Sequence, residues 1–271
     1  MPIPVIGILA ISLYVVSGLL LAARLLRGDA VGPARYGIIA LGLGAVILHG
    51  SLLYHGTILT QGGLNLGFFN AASLIGCLMA LLLLLAALKH PVENLGIVLL
   101  PLAGLTLALD RFFPSDHLVR TPNPWELDAH ILLSVIAFSL LSIAALQAIL
   151  LAIQDHQLRN RRPGGIIRAL PPLQTMEQLL FQMIGVGFVM LSLALLSGII
   201  FLNDIFAQHL AHKTILSIVA WLVFATLLWG RQRYGWRGRI AIRYTLSGFV
   251  LLMLAYFGTK LVLELVLHRP Y

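Results

Sequence analysis

Two apolar runs around a basic turn decide the fold of this chain: TILSIVAWLVFATLLW (Thr214–Trp229), GRQRYGWRGRIA (Gly230–Ala241) and IRYTLSGFVLLMLAYFGTKLVL (Ile242–Leu263). A helix needs about 20 apolar residues to cross the hydrocarbon core of a bilayer. The pattern therefore predicts two membrane spans joined by a short turn at one membrane surface. The following residues, ELVLHRPY, place His268 at the opposite surface.

The composition excludes a soluble protein. The chain has 271 residues, of which 59% are hydrophobic and 10% charged, and its mean hydropathy is +0.96. Soluble domains carry about 25% charged residues. The net charge of +8 is attributed to cytoplasmic loops, so we expect no nucleic-acid partner. The lone cysteine, Cys77, cannot form an internal disulfide and reads as a small packing residue.

Apolar runs recur along the whole chain and predict an all-α, polytopic bundle in a single domain, residues 1–271. The first run, Val5–Ala23, is expected to be a span rather than a cleavable signal peptide. Helices are expected because they satisfy every backbone group inside lipid. The eight predicted spans are Pro4–Leu25, Tyr36–Tyr54, Leu66–Leu88, Leu95–Arg111, Ala129–Ile153, Gln178–Leu202, Thr214–Trp229 and Ile242–Leu263.

The basic residues predict the orientation of the bundle. Of the 18 Lys and Arg residues, thirteen follow or end spans one, three, five and seven, and the others lie on the opposite side. Because cytoplasmic loops are enriched in Lys and Arg, both termini are predicted on the outer, periplasmic side of a bacterial inner membrane. The five residues on the outer side are Arg111, Arg120, Lys213, Lys260 and Arg269.

The histidines are unevenly distributed across this predicted topology. His90 and His156 are predicted to be cytoplasmic, whereas the remaining seven lie in the outer half of a span or in an outer loop. Neutral imidazole is a common ligand of haem iron and of transition metals, and an ionisable group inside a span indicates a functional site. The alternative is that they are interfacial anchors or helix-end hydrogen-bonding groups. The seven are His49, His55, His117, His130, His209, His212 and His268.

No other chemical motif competes with the histidines. The pair His209 and His212 is spaced too closely for a zinc-protease helix and has no Glu between its members. The carboxylates lie mostly in loops or at helix ends, so no chain of acids crosses the spans as a pump would require. We therefore expect a carrier or chaperone rather than a catalyst.

Several segments of the second half of the chain resemble the cytochrome c assembly family, which comprises haem-handling membrane proteins of the CcsA and CcmC types. The earlier segment is Asp128-Ala129-His130, followed by Leu132-Leu133-Ser134 and Ala137-Phe138. The later segments are Lys213-Thr214, Trp221-Leu222-Val223-Phe224-Ala225, Arg231, Gly235-Trp236-Arg237-Gly238-Arg239, Gly248-Phe249, Tyr256-Phe257-Gly258 and Leu267-His268.

The resemblance implies specific residue roles. His130 and His268 match the two periplasmic histidines that serve as axial haem ligands in the family. His49 matches a membrane-embedded histidine and implies a second site within the membrane. The implied cofactor is haem b, and the implied partners are the lipid bilayer, haem, and proteins of cytochrome c maturation or haem synthesis.

The chain also departs from the family pattern. The family has a Trp-rich periplasmic segment before span seven, whereas residues 202–212 here contain no Trp. Late in span seven, where the family often has a His, this chain has Trp229. The pattern is similar to that of the divergent HemX/YpjD-like branch, for which haem binding is a firmer expectation than haem ligation to a cytochrome.

The sequence thus predicts an eight-span inner-membrane protein that binds haem near the outer face and takes part in haem handling or export for cytochrome c assembly. Two alternatives stay open. One is a membrane regulator or scaffold of tetrapyrrole synthesis that acts through the basic segments Gln154–Glu177 and Gly230–Ala241. The other is a transporter of a small solute or metal ion that uses the outer histidines.

Overall fold

The structure is a computed structural model that describes residues 3–27, 34–55, 64–65, 67–113, 118–119, 124–160, 170–201 and 211–258. Within these residues, eight helices are long and apolar enough to cross a membrane. This finding confirms the predicted all-α, polytopic architecture. Backbone contacts divide the chain into two compact units, Met1–Arg120 with Gln157–Pro171, and Thr121–His156 with Pro172–Tyr271.

The first unit contains four membrane helices. Helix α1 packs against α2 and α4, and α3 packs against the same two helices, so that the four form a closed ring. A pair of two-residue strands, β1 and β2, runs antiparallel with Leu64 opposite Val119. The elements are α1 (Ile3–Arg27), α2 (Ala34–Leu53), β1 (Leu64–Asn65), α3 (Phe68–Lys89), a 3-10 turn (Glu93–Leu95), α4 (Gly96–Phe112) and β2 (Leu118–Val119).

Small residues allow the helices of the first unit to approach closely. A Cβ atom added to Gly18 of α1 would lie 2.8 Å from Cγ of Pro101, which is inside α4. A Cβ added to Gly42 of α2 would lie 3.0 Å from a methyl group of Leu84 on α3. Transmembrane helices have little hydrophobic drive to associate with one another, so close packing over small residues is a main source of their association energy.

An arginine at the start of α2 fixes the connection between α3 and α4. The Arg35 guanidinium donates hydrogen bonds from Nη2 to the carbonyl oxygens of Ala87 and His90, the latter over 2.9 Å. The same nitrogen lies 3.3 Å from Oε2 of Glu93. One cation therefore satisfies carbonyls at the end of α3 and a carboxylate in the turn that precedes α4.

The second unit contains the other four membrane helices. Gln147 on α5 donates from Nε2 to the carbonyl oxygen of Met176 on α6 over 3.0 Å, which ties those two helices together inside the unit. The elements are α5 (Pro124–Arg159), α6 (Leu173–Phe201), α7 (Ala211–Tyr234), α8 (Arg239–Met253) and a π-helical turn that continues α8 (Leu254–Gly258).

Helices α7 and α8 form the hairpin that the basic turn predicts. Gly235 and Gly238 have φ values of 67° and 54°, in the left-handed region that favours glycine. The helices approach closely at Gly248, where an added Cβ would lie 2.8 Å from the ring of Phe224. Glu177 of α6 lies against the turn: its Oε1 accepts a hydrogen bond from the Gly238 amide over 3.1 Å and lies 3.6 Å from Nη1 of Arg231.

Each predicted span coincides with a helix over the part that the structure describes, and several helices are longer than the apolar runs. Residues 66, 202 and 259–263 of the predicted spans lie outside the described residues. Helix α5 extends over Pro124–Arg159, whereas the prediction was Ala129–Ile153. Helix α8 begins at Arg239, before the predicted start at Ile242. Apolar composition marks only the part of a helix that lies in hydrocarbon, while its polar ends continue the same backbone hydrogen bonding.

Candidate functional site

A mostly apolar cavity of about 130 Å³ lies inside the second unit. It is bounded by the beginnings of α5 and α7 and by the ends of α6 and α8, so it opens at the end of the unit opposite the basic turn. Its polar lining consists of His130, Ser134, Lys213, Ser217 and Tyr256. Among the lining residues that the structure describes, none is a carboxylate.

Helical spacing explains how these residues reach one cavity. His130, Ser134 and Phe138 follow one another at intervals of four on α5, and Lys213 and Ser217 have the same interval on α7. Residues four apart lie on one face of a helix. The π-helical turn after α8 carries Tyr256, and π-turns inside helices are frequent at functional sites.

The ring orientation of His130 is fixed by a chain of two hydrogen bonds. Ser197 on α6 donates its only hydroxyl proton to the carbonyl oxygen of Ala194 over 2.8 Å. The distance between the Ser197 Oγ and the His130 Nδ1 is 3.0 Å. Because that proton is already used, Oγ acts as the acceptor and Nδ1 carries the ring proton. The lone pair of the neutral imidazole is then at Nε2.

Aromatic side chains form one wall of the cavity. The Phe138 ring centroid lies 5.3 Å from that of Tyr256 and 5.6 Å from that of Phe257. Phe249 of α8 contacts the same ring at 5.9 Å. These spacings are in the favourable range for aromatic pairs, so the wall joins α5 to the end of α8 through flat, apolar surfaces.

His49 lies in the first unit and is fully buried. Its Nδ1 is 3.3 Å from the Tyr14 hydroxyl oxygen on α1, and its Nε2 is 2.9 Å from the Ser73 hydroxyl oxygen on α3. Both ring nitrogens are therefore engaged in hydrogen bonds that link α1, α2 and α3. Buried polar groups in a membrane are normally satisfied in this way.

The remaining predicted residues fall into two groups. His55 is exposed at the end of α2, where its ring stacks edge-on against Tyr54 with centroids 5.7 Å apart, and His212 is exposed at the start of α7. His117, His209 and His268 lie outside the described residues. The distance between His130 and His268 is therefore not tested by the structure. Among the residues described, no three His, Cys, Asp or Glu side chains form a group that could hold a metal ion.

Three residues of the site were not predicted as functional from the sequence: Ser197, Lys213 and Tyr256. A serine in an apolar span carries no signal that it will meet a histidine 67 positions earlier in the chain. Lys213 did carry a signal, because it is one of the few cations on the predicted outer side and stands at the opening of a span.

The chain is similar to bacterial proteins over most of its length. It is 36% identical over 269 residues to the inner membrane protein YpjD of Escherichia coli K12. The aligned residues make up 97% of this chain and 99% of that protein. It is 32% identical over 200 residues to a 28.8 kDa protein of Azospirillum brasilense. The aligned residues make up 71% of this chain and 73% of the relative.

More distant similarity links the chain to proteins named for cytochrome c biogenesis. The cytochrome c biogenesis protein CcsA of Gloeothece citriformis is 28% identical over 102 residues, which is 37% of this chain and 31% of that protein. No solved structure matches the chain.

The sequence profile described as cytochrome C assembly protein matches residues 40–267. His49 and His130 lie within the matched residues, and His268 is the first residue beyond them. The match to an inner membrane protein over its full length and the eight spans confirm the predicted location. The chain is thus a multi-pass inner-membrane protein that belongs to the cytochrome c assembly protein family.

Proposed function

We propose that this protein binds haem b in the cavity of the second unit and handles it for cytochrome c assembly. His130 and His268 are the proposed axial ligands. Membership of the cytochrome c assembly family supports a role in haem handling, and the CcsA relatives carry cytochrome c biogenesis in their names. The chemistry of the cavity supports the ligand.

The observation that carries this proposal is the hydrogen bond between His130 and Ser197. A histidine that binds haem iron through Nε2 needs its proton on Nδ1 and a partner that holds the ring in position. Ser197 supplies that partner at 3.0 Å. A histidine that serves only as a surface anchor has no need of a fixed tautomer.

The surroundings of His130 also suit a porphyrin. The wall formed by Phe138 and Tyr256 offers flat apolar surface to the macrocycle, and Leu191 and Leu252 add aliphatic contacts. Bound haem would supply an iron centre that accepts two axial imidazoles, with its redox state tuned by the ligands.

The size of the cavity favours transient binding. Sites that enclose a drug-sized ligand have volumes of roughly 300–1,000 Å³, whereas this cavity measures about 130 Å³. It would admit one edge of the macrocycle and leave the rest outside. A haem that is ligated by His130 and only partly enclosed would be accessible to an acceptor, which is what a carrier requires.

The proposed orientation places the cavity at the outer face. The end of α7 and the turn that follows it lie at the opposite end of the second unit. They contribute Arg231, Arg233 and Arg237 to the predicted cytoplasmic surface. Haem at His130 would then be presented on the side of the membrane where c-type cytochromes are assembled in the family that this chain resembles.

His49 is proposed as a second haem site inside the first unit. Iron at either ring nitrogen would replace one of its hydrogen bonds, to Tyr14 or to Ser73. This second site therefore requires a rearrangement of buried side chains, whereas His130 has a ring nitrogen whose lone pair is available.

The function is tested in a strain from which the gene has been deleted. Covalently bound haem in c-type cytochromes is measured by peroxidase staining of membrane proteins after denaturing electrophoresis. We expect the signal to fall and to be restored by the wild type, but not by His130→Ala or His268→Ala made at equal abundance. Normal cytochrome levels in the deletion strain, or full restoration by both variants, would favour the regulator or transporter alternatives.

A further inference from the structure

We propose that the surface around the turn between α7 and α8 binds the headgroup of an anionic phospholipid. This basic aromatic surface consists of Trp229, Arg233, Tyr234, Arg237 and Arg243, and all five residues are exposed. It lies in the second unit at the end away from the haem cavity. The inference goes beyond the proposed function and does not depend on it.

The turn lies at a membrane surface. Helices α7 and α8 are both long and apolar enough to cross a membrane, and their candidate spans end at Tyr234 and begin at Arg239. Only residues 235–238 join them, so the turn stands where hydrocarbon gives way to headgroups. Trp and Tyr are enriched at that depth, and Trp229 and Tyr234 are 58% and 63% exposed. Lipid headgroups are therefore the immediate surroundings of this surface.

Aromatic contacts hold the turn in one shape. The Trp236 ring stacks on Tyr234 with centroids 6.3 Å apart and lies 5.1 Å from the Tyr244 ring on α8. Its indole also covers Gly230 so closely that the backbone there has no room for a Cβ atom. Trp229 meets Tyr234 edge-on at 5.4 Å. A preorganised surface loses less conformational entropy when a ligand binds.

The segment Arg231–Arg243 has a surplus of positive charge. It contains five arginines and no acidic residue. Two of the arginines pair with carboxylates from other helices of the second unit. Nη1 of Arg231 lies 3.6 Å from Oε1 of Glu177 on α6, and Nε of Arg239 lies 3.5 Å from Oδ2 of Asp155 on α5. With both carboxylates counted, the segment keeps an excess of three positive charges.

The other three arginines give the surface its affinity for phosphate. Arg233, Arg237 and Arg243 are exposed at the end of α7, in the turn and in the first turns of α8. Guanidinium groups bind phosphate oxygens through two parallel hydrogen bonds. Topology alone would favour basic residues on this side, but it would not require them beside exposed aromatic rings on a preorganised turn. An anionic phospholipid, with its phosphate at headgroup depth, accounts for both features.

The test compares two lipids that differ in headgroup charge. Full-length protein in detergent is titrated with phosphatidylglycerol and with phosphatidylcholine of the same acyl chains, and bound lipids are counted by native mass spectrometry. We expect the wild type to bind phosphatidylglycerol at least about tenfold more tightly. Arg237→Gln combined with Arg243→Gln should lower this preference at least about fivefold, because basic residues near an anionic lipid surface each add to the binding. Lysines at both positions should retain most of it.

Arg27→Gln combined with Lys89→Gln is the matched control. These residues are exposed at the ends of α1 and α3, on the same predicted side of the membrane, and the control removes the same amount of charge. Its lipid preference should equal that of the wild type. Equal affinity of the wild type for the two lipids, or an equal loss of preference in the control, would overturn the proposal.

An acidic protein is the competing partner for a basic surface. Proteins that copurify from membranes are therefore compared between the wild type and the variant with glutamines at positions 237 and 243. An acidic protein that is lost from this variant, while its preference for phosphatidylglycerol is unchanged, would assign the surface to that protein and overturn the lipid assignment.

Discussion

The Nδ1 atom of His130 on α5 lies 3.0 Å from the Oγ atom of Ser197 on α6. Since Ser197 donates its own proton to the carbonyl of Ala194, it accepts the imidazole proton. The contact therefore sets both the tautomer and the direction of the ring, in the manner of the hydrogen bonds that orient metal-binding histidines.

Loss of the Ser197 hydroxyl should weaken haem binding without removing the ligand itself. Outer partners of metal ligands typically contribute 10–100-fold to affinity, so we expect Ser197→Ala to raise the haemin dissociation constant by about that factor. A changed reduction potential should accompany it, because the basicity of the imidazole depends on the same bond. Both are measured by optical titration.

Ser142→Ala is the matched control for that variant. Ser142 also lies in the second unit and is buried, but its hydroxyl donates only within α5, to the Phe138 carbonyl over 2.7 Å. Haemin affinity should be retained in it. Equal haemin affinities and potentials in Ser197→Ala and the wild type would show that the His130 ring does not need this bond.

Filling the cavity should block haem while leaving His130 in place. Ser217→Phe adds a ring to a wall of the 130 Å³ space, and overpacking of this kind costs about 1–3 kcal/mol of stability. We expect haemin affinity to fall more than about tenfold, measured by the Soret titration.

Ser247→Phe tests whether a new aromatic ring alone causes that loss. Ser247 is exposed on α8, and the substitution should bind haemin as the wild type does. If Ser217→Phe binds haemin with unchanged affinity, haem does not occupy this cavity.

The Glu177 carboxylate should stabilise the turn between α7 and α8. Its Oε1 accepts the Gly238 amide proton at 3.1 Å and faces Arg231 at 3.6 Å, and the residue is 8% exposed. Glu177→Gln should lower the free energy of unfolding by about 1–2 kcal/mol, measured by denaturation in mixed detergent. Arg233→Gln, at an exposed position in the last turn of α7, should change it little, and equal stability of the two variants would contradict a role for Glu177.

The hydrogen bonds of His49 should contribute to the stability of the first unit. Polar contacts between transmembrane helices are worth about 0.6 kcal/mol on average and up to about 1.7 kcal/mol. Ser73→Ala leaves the buried Nε2 without its partner, so we expect a loss near the upper value, measured by the same denaturation. Ser51→Ala, whose hydroxyl bonds only to the Leu48 carbonyl one turn away, is the control, and a smaller loss in Ser73→Ala than in Ser51→Ala would contradict this assignment.

Apolar runs were sufficient to predict the helices, because the bilayer requires about 20 residues for a span and each of the eight candidate helices among the described residues has at least 20. The ends were less accurate. Helix α5 continues to Arg159 through residues that are polar and so carry no membrane signal. Asp155 near the end of α5 and Arg239 at the start of α8 lie beyond the apolar parts of their helices. Their Oδ2 and Nε atoms are 3.5 Å apart and form an ion pair within the second unit.

The site was predicted only in part, for a different reason. His130 stood out because an ionisable side chain opens an apolar span. Its partner Ser197 and the aromatic contact between Phe138 and Tyr256 depend on how distant helices rotate against each other. Single-sequence periodicity gives the face of one helix, but it does not give the pairing of faces between two.

The most direct test of the haem proposal is the absorption spectrum of the purified protein, oxidised and then reduced with dithionite, for the wild type, His130→Ala and His268→Ala. The wild type should show a sharp low-spin Soret band and an α band on reduction. Both variants should lose or shift these bands, since each would remove one axial imidazole. A wild type that stays colourless after expression with added haem, or variants with unchanged low-spin spectra, would contradict the ligand assignment.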